Sequence, residues 1–269
     1  AGDPPGDVAW KLVAVNLSDL AAKGARPVAV LLNYPLGDDG WDRAFVAGLG
    51  EALAAFDCPL LGGDTVSLPE GAPRVLTLTA FGSSRAPAEA GALAVDSATM
   101  ASTPAFAGVR SGARASDTLW VCGTIGDAGA GLRIARDEDG PPELLAAYRR
   151  PHPLIEQGIA LAPHATAMMD VSDGLLIDAA RMAAASGLAV TVDLDAVPMS
   201  DALRGFDPDP LTAATAGDDY ALLFALPGDA EPPVAATRIG AFSAGSGLTL
   251  TRDGATIPLP ERLGWLHRA

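Results

Sequence analysis

Cysteine is scarce in this chain of 269 residues: Cys58 and Cys122 are the only two, far apart and each inside an apolar stretch. They exclude a disulfide framework and a cysteine-based zinc site, and they fit buried, reduced thiols. Lysine is as scarce. Lys11 and Lys23 are the only ones, and neither follows a GxxxxG loop, which excludes a Walker phosphate cradle. His152, His164 and His267 share no metal-ligand spacing, and no G-x-S-x-G elbow occurs. No uninterrupted apolar run approaches the roughly 18 residues of a membrane span. The opening AGDPPGD lacks the basic and apolar regions of a signal peptide, so the chain reads as cytoplasmic. Aromatics make up only 5% against 49% hydrophobic residues, so Ala, Val and Leu must build the interior.

Acidic residues dominate the charge, with 33 Asp+Glu against 18 Lys+Arg and a net charge of -15. Such a surface repels phosphodiester backbones and anionic lipid, which excludes a broad nucleic-acid or membrane role. A small anion held through metal ions stays possible.

Hydrophobic periodicity organises the chain. Trp10, Val13, Ala14, Leu17, Leu20 and Ala21 recur at helical spacing, and Gly24 stands where a C-terminal cap belongs, predicting a helix over residues 8–23. A strand over 28–33, a helix over 42–56, a strand end at 59–61 running into a Gly62-Gly63-Asp64-Thr65 loop, and a strand over 75–81 follow. Residues 85–107 are rich in Ala, Pro, Ser and Thr without a clear period and read as a linker or mobile insertion. Beyond them come a strand over 118–122, helices near 127–134, 144 and 155–161, a strand over 166–169, a helix from Leu175 and a strand over 189–194. A strand-rich tail holds 220–226 and 248–251. Alternating strands and helices predict an α/β or α+β class in two lobes divided near residue 110.

The chemistry-bearing features are Asp residues beside glycines at element ends. Asp19, in NLSDLAAKG, shares a helix face with Asn16 and Lys23, and reads either as a site carboxylate or as half of an exposed pair with Lys23 worth about 0.3 kcal/mol. Asp64 in GGDT follows two glycines that let backbone approach a ligand closely, or it caps a turn. Asp170 and Asp173 in DVSDGLL suit Mg²⁺, which takes carboxylate oxygens together with water and substrate phosphates; alternatively Ser172 or Asp173 caps the next helix. Asp218 and Asp219 in GDDY precede an apolar run, as site carboxylates or as solvated turn residues.

Taken in order, NLSDLAAKGARP, LLGGDTV, RSGARASDTLWVCGTIGDAGAGL, MMDVSDGLL and TAGDDYALLF resemble the thiamine-monophosphate kinase family, over nearly the whole chain from Trp10 to His267. The resemblance implies an aminoimidazole ribonucleotide synthetase-like fold: residues 1–110 an ATP- and Mg²⁺-binding lobe that pairs across a homodimer into a β-barrel, residues 111–269 an α/β lobe. It implies direct in-line phosphoryl transfer from ATP to thiamine monophosphate with several Mg²⁺ ions. Asp19, Asp64 and Asp173 would be metal ligands, Asp173 and Ser172 the catalytic pair, and Gly63, Asp64, Arg110 and Ser172 the nucleotide-binding set. Asp219 and Trp265 would face the thiamine phosphate.

Such a transfer needs positioning and charge neutralisation more than a protein nucleophile, because the acceptor phosphate oxygen attacks. Several features depart from the family pattern. An upstream GDDA-type metal and nucleotide segment is missing, the 88–107 stretch is long, Asp218 replaces the usual Glu, and Leu154 stands where Arg often follows Pro. The other readings are a different ATP-dependent synthetase of the same superfamily and a catalytically silent nucleotide-binding dimer module.

Overall fold

The structure, a computed structural model, describes residues 2–69, 71–84 and 109–266. Its first element, α1 (Pro5–Ala21), starts on a proline whose missing N–H costs nothing in the first turn. Strand β1 (Arg26–Leu36), helix α2 (Asp39–Ala55), β2 (Leu60–Ser67) and β3 (Thr77–Ser83) follow. Asp38 caps α2 by accepting from the Trp41 amide. The three strands form a sheet in the order β2-β1-β3, with β2 parallel and β3 antiparallel to β1. Both helices cover one face, where Val13, Leu17, Val30, Leu32, Phe45 and Leu49 form a core.

The second body is a seven-stranded sheet built from β4 (Thr118–Cys122), β5 (Ala167–Asp170), β6 (Ala189–Asp193), β7 (Leu222–Leu226), β8 (Thr237–Ser243), β9 (Gly247–Arg252) and β10 (Ala255–Ile257). Its order is β10-β9-β6-β8-β4-β7-β5, with only β6 and β9 parallel. The helices are α3 (Asp127–Ala135), α4 (Pro142–Arg149), α5 (Ile155–Leu161), α6 (Leu175–Ser186), α7 (Asp201–Phe206) and α8 (Pro210–Thr215). Strands β4 and β7 are buried on both faces, which is why TLWVC and LLFAL read as unbroken apolar runs. Leu119, Val121 and Leu223 face a core with Leu175 and Met182, while Trp120, Cys122, Leu222 and Phe224 face the other way.

That opposite face is where the two bodies join. Ala21 and Ala22, at the end of α1, pack into one cluster with Leu161, Met168 and Phe224. Around this seam, the Trp10 indole donates to the Pro151 carbonyl at 3.0 Å, Arg150 pairs with Asp7 and Glu51, and Arg26 grips Glu156 with both nitrogens.

The expected helices and strands stand within a few residues of their predicted bounds, with two differences. GGDT lies inside β2 rather than in a loop, because a Cβ at Gly63 would lie 1.8 Å from the Leu32 carbonyl oxygen and glycine alone lets β2 pair this closely with β1. Helices α7 and α8 and strands β8 and β10 have no counterpart among the predicted elements. The expected insertion at 85–107 lies outside the described residues. Both thiols are buried and free.

The seam depends on small residues. A Cβ at Gly158 would stand 2.1 Å from the Ala21 carbonyl oxygen. Gly158→Ala is therefore expected to lower unfolding stability by about 1–3 kcal/mol through overpacking, read from the urea midpoint. An unchanged midpoint would mean that α1 and α5 separate without cost.

Candidate active site

Loop 170–174, between β5 and α6, collects contacts from four distant segments. Asp178, fully buried in the first turns of α6, accepts the Ser172 and Asp173 amides at 3.1 Å each. Arg181 pairs with both Asp173 and Asp178. Burial pushes the Asp178 carboxyl upward, and the Arg181 hydrogen bond and the two amides oppose that shift. From the other side, Asp218 donates its amide to the Ser172 carbonyl and Tyr220 donates to Val171, each at 2.8 Å. The Trp265 amide donates to the Asp173 carbonyl at 2.7 Å.

Asp170 ends β5, buried, and meets α1: Ser18 Oγ, with no exposure, donates to its carboxylate at 3.0 Å. Asp19, one residue on, is exposed, and its charge acts on Asp170. Burial first, and the Asp19 charge second, push the Asp170 carboxyl up to about 6. NLSD and DVSD thus meet across the seam as a like-charged pair. Among the described residues no three His, Cys, Asp or Glu form a ready-made metal cluster. The pair still fits a hard cation, since Mg²⁺ is commonly held by one or two carboxylates with waters and phosphate oxygens, and it would relieve the repulsion that raises Asp170.

The 217–220 turn carries two non-glycine residues in the left-handed region, Asp218 at φ 70° and Tyr220 at φ 52°. Its two acids diverge. Asp219 turns inward and accepts the Gly126 and Ala128 amides at the start of α3, at 2.8 and 3.3 Å. Burial pushes its carboxyl well above the usual range. Asp218 turns toward α1, where Lys11 pairs with it at 2.8 Å and the Tyr220 hydroxyl donates to it at 3.0 Å. Beside them a cleft of about 380 Å³ opens between α1 and α4, lined by Asp7, Lys11, Leu12, Tyr148 and Tyr220.

The remaining expected residues scatter around this seam. Trp265 is held by its amide beside Asp173 and leaves its side chain exposed. Arg110 is exposed and follows Val109, whose carbonyl accepts from Met168 on β5. Asp64 and Gly63 lie on exposed β2, opposite Asn33 and Leu32 of β1. The structure thus brings Asp19, Ser172, Asp173 and Trp265 to the surroundings of loop 170–174, spends Asp219 on α3, and leaves Asp64 on the sheet of the first body. Sequence reasoning passed over Ser18, Asp178, Arg181 and Lys11. Ser18 and Asp178 did carry a signal: each is a polar residue on the apolar stripe of its helix, which demands a buried partner.

Residues 1–84 match the AIR synthase related protein, N-terminal domain, and residues 114–252 match the AIR synthase related protein, C-terminal domain. Thiamine-monophosphate kinase of Caulobacter vibrioides is 37% identical over 281 residues, a match covering 97% of this chain and 74% of the relative. Among solved structures, AaThiL complexed with AMPPCP and TMP is 28% identical with a TM-score of 0.78, covering 98% of this chain and 81% of that one. Thiamine-monophosphate kinase from Stenotrophomonas maltophilia K279a is 33% identical with a TM-score of 0.74, covering 94% and 80%.

The raised Asp170 carboxyl fixes a sign. The folded state holds this proton more tightly than the unfolded chain, so without divalent cations its contribution to stability falls as pH rises from about 4 to above 6. Asp170→Asn, which keeps an oxygen for Ser18, is expected to match the parent near pH 4 and to exceed it by on the order of 2–3 kcal/mol above about pH 7. Parallel stability profiles for the two proteins would show that Asp170 carries no such penalty.

Proposed function

The chain belongs to the thiamine-monophosphate kinase family of AIR synthase related proteins, with their two-lobed α/β fold, and from that premise we propose that it phosphorylates thiamine monophosphate to thiamine diphosphate, using ATP and Mg²⁺. The observation that carries the reading is the meeting of NLSD and DVSD, through Ser18 and Asp170, at the seam between residues 1–110 and 111–269. The AMPPCP and TMP bound by the related AaThiL support the same pair of substrates.

Asp19 and Asp170 would hold Mg²⁺, and Asp173 and, on the sheet of the first body, Asp64 further ions, which when bound neutralise charge between the triphosphate and the acceptor phosphate. Two like unit charges about 4 Å apart repel by roughly 1 kcal/mol in water and several-fold more near a protein surface. Ser172 and Asp173 stand on a loop whose amides are fixed by Asp178, so the groups nearest the transfer are pre-oriented rather than recruited. Gly63 and Arg110 supply an amide and a guanidinium for nucleotide phosphate. On the acceptor side, Asp219 anchors the 217–220 turn to α3, its neighbour Asp218 is paired with Lys11 beside the cleft, and Trp265 offers an aromatic wall. No protein nucleophile is required.

Pairing of two copies belongs to the same reading. The face of the three-stranded sheet opposite α1 and α2 leaves Leu31 and Phe81 exposed, and edge strand β2 adds Leu61 and Val66. Apolar side chains gathered on a sheet face and its open edge favour burial against a second sheet. A homodimer closing these strands into a barrel meets that need.

With the full natural chain carrying these residues, ATP, Mg²⁺ and thiamine monophosphate are expected to yield ADP and thiamine diphosphate in equal amounts. ATP binding without acceptor-dependent turnover would overturn the assignment. Asp19→Asn is expected to cut kcat at least about 100-fold with melting shifted by less than about 2 °C, since the side chain is exposed; full activity would remove Asp19 from the site. Leu61→Glu is expected to turn a micromolar dimer into monomer in sedimentation, whereas a parent protein that is already monomeric would sink the barrel.

A further inference from the structure

We propose that Lys11 is a positioning residue: it holds the Asp218 carboxylate against α1 beside the interlobe cleft and, through Tyr148, fixes the spacing of the two lobes at that point. Only its expected effect on the acceptor rests on the kinase reading; the contact itself does not.

Lys11 reaches from α1 to two separate elements of the second lobe. Its ammonium lies 2.8 Å from Asp218 on the strained 217–220 turn and 3.8 Å from the centre of the Tyr148 ring on α4. Tyr148 in turn donates its hydroxyl to Asp3, ahead of α1, at 3.3 Å. The ammonium is therefore bracketed by a carboxylate and an aromatic face, a combination suited to a compact cation. Lysine here is notable, since Lys23 is the only other one among 18 Lys+Arg.

Asp218 needs such a hold. Its backbone is left-handed, a region Asp visits more readily than most residues, and two residues on the bulkier Tyr220 is left-handed as well and depends on its surroundings. The amides of Asp218 and Tyr220 anchor the turn to loop 170–174, and among the described residues the carboxylate has two side-chain partners, the Tyr220 hydroxyl and Lys11, of which Lys11 comes from the other lobe. At 22% and 39% side-chain exposure the Lys11–Asp218 pair adds little to global stability, so its effect is on where the carboxylate points.

Two readouts test this. By hydrogen exchange without substrate, Lys11→Met is expected to speed exchange of the Asp218 and Tyr220 amides by about tenfold relative to the parent, with the melting temperature within about 3 °C. In turnover, it is expected to raise the KM for thiamine monophosphate about tenfold, with kcat and the KM for ATP within about twofold. Because Lys11 acts through Asp218, adding Lys11→Met to Asp218→Asn should change the acceptor KM by less than about twofold further. Lys11→Gln gives the same comparison should the Met variant fold poorly. Parent-like exchange in residues 217–220, or single-variant KM effects that multiply in the double variant, would overturn the proposal. A parent protein that makes no thiamine diphosphate would overturn the kinase reading instead, and the exchange result would still decide the role of Lys11.

Discussion

The hydrogen bond from Ser18 to Asp170 is the interaction on which the arrangement of the site depends. It is buried, it joins a helix of the first lobe to a strand end of the second, and it lies at the start of loop 170–174. Everything else at the seam is built so that α1 can come this close: Ala21 and Ala22 in the shared cluster, Gly158 beneath the Ala21 carbonyl, and Gly24 in a left-handed turn that ends the helix in time. Larger side chains at these positions would hold the lobes apart and leave Ser18 and Asp170 as unpaired buried polar groups, a costly alternative. The small-residue seam and the polar contact support one another.

The buried carboxylates differ in how fully they are compensated. Asp178 has two amides and Arg181; Asp219 has two amides at a helix start, where the macrodipole favours negative charge. Among the described residues Asp170 has only the Ser18 hydroxyl and its own backbone amide, with the Asp19 charge foremost against it. Structural carboxylates are normally satisfied within the fold, so the under-compensated one is where the fold leaves room for an external positive charge. Asp170 thus stands out on physical grounds, although the order of sequence motifs drew attention to Asp173. Asp173, already paired with Arg181, would have to share its carboxylate with any cation it holds.

Long periodic segments were legible in the sequence, since α1, α2 and α6 each bury one face. The six-residue helices α7 and α8 were not, because little more than one turn shows no period, and β8 was obscured by Arg238 and Gly240 within its run. Paired glycines in GGDT signal a turn, yet Gly63 serves close strand pairing. At GDDY, composition marked a site but could not choose between adjacent acids. The turn sends the Asp218 carboxylate to Lys11 of α1 and the Asp219 carboxylate to α3, and its backbone is tied to loop 170–174. Lys11 carries no sequence signal of its role, because its partner lies about two hundred residues away.

Loop 170–174 explains how such distant segments act as one surface. Ser18, Asp178, the 217–220 turn and the Trp265 amide each bind a different residue or atom of it, so displacement of any one is felt by the others within a few ångströms. Gly264 supplies the last fit: a Cβ there would meet the Asp173 carbonyl oxygen at 2.4 Å, so glycine lets the chain lie on the loop and hold Trp265 by its backbone while the indole stays exposed. An exposed aromatic on an anchored backbone gives up little conformational entropy when it stacks on a ligand. The same holds for Asp218, gripped on both oxygens before any ligand arrives. Lys11 and Arg181 fix carboxylates in place, whereas Asp19 and Asp170 meet across the seam as like charges.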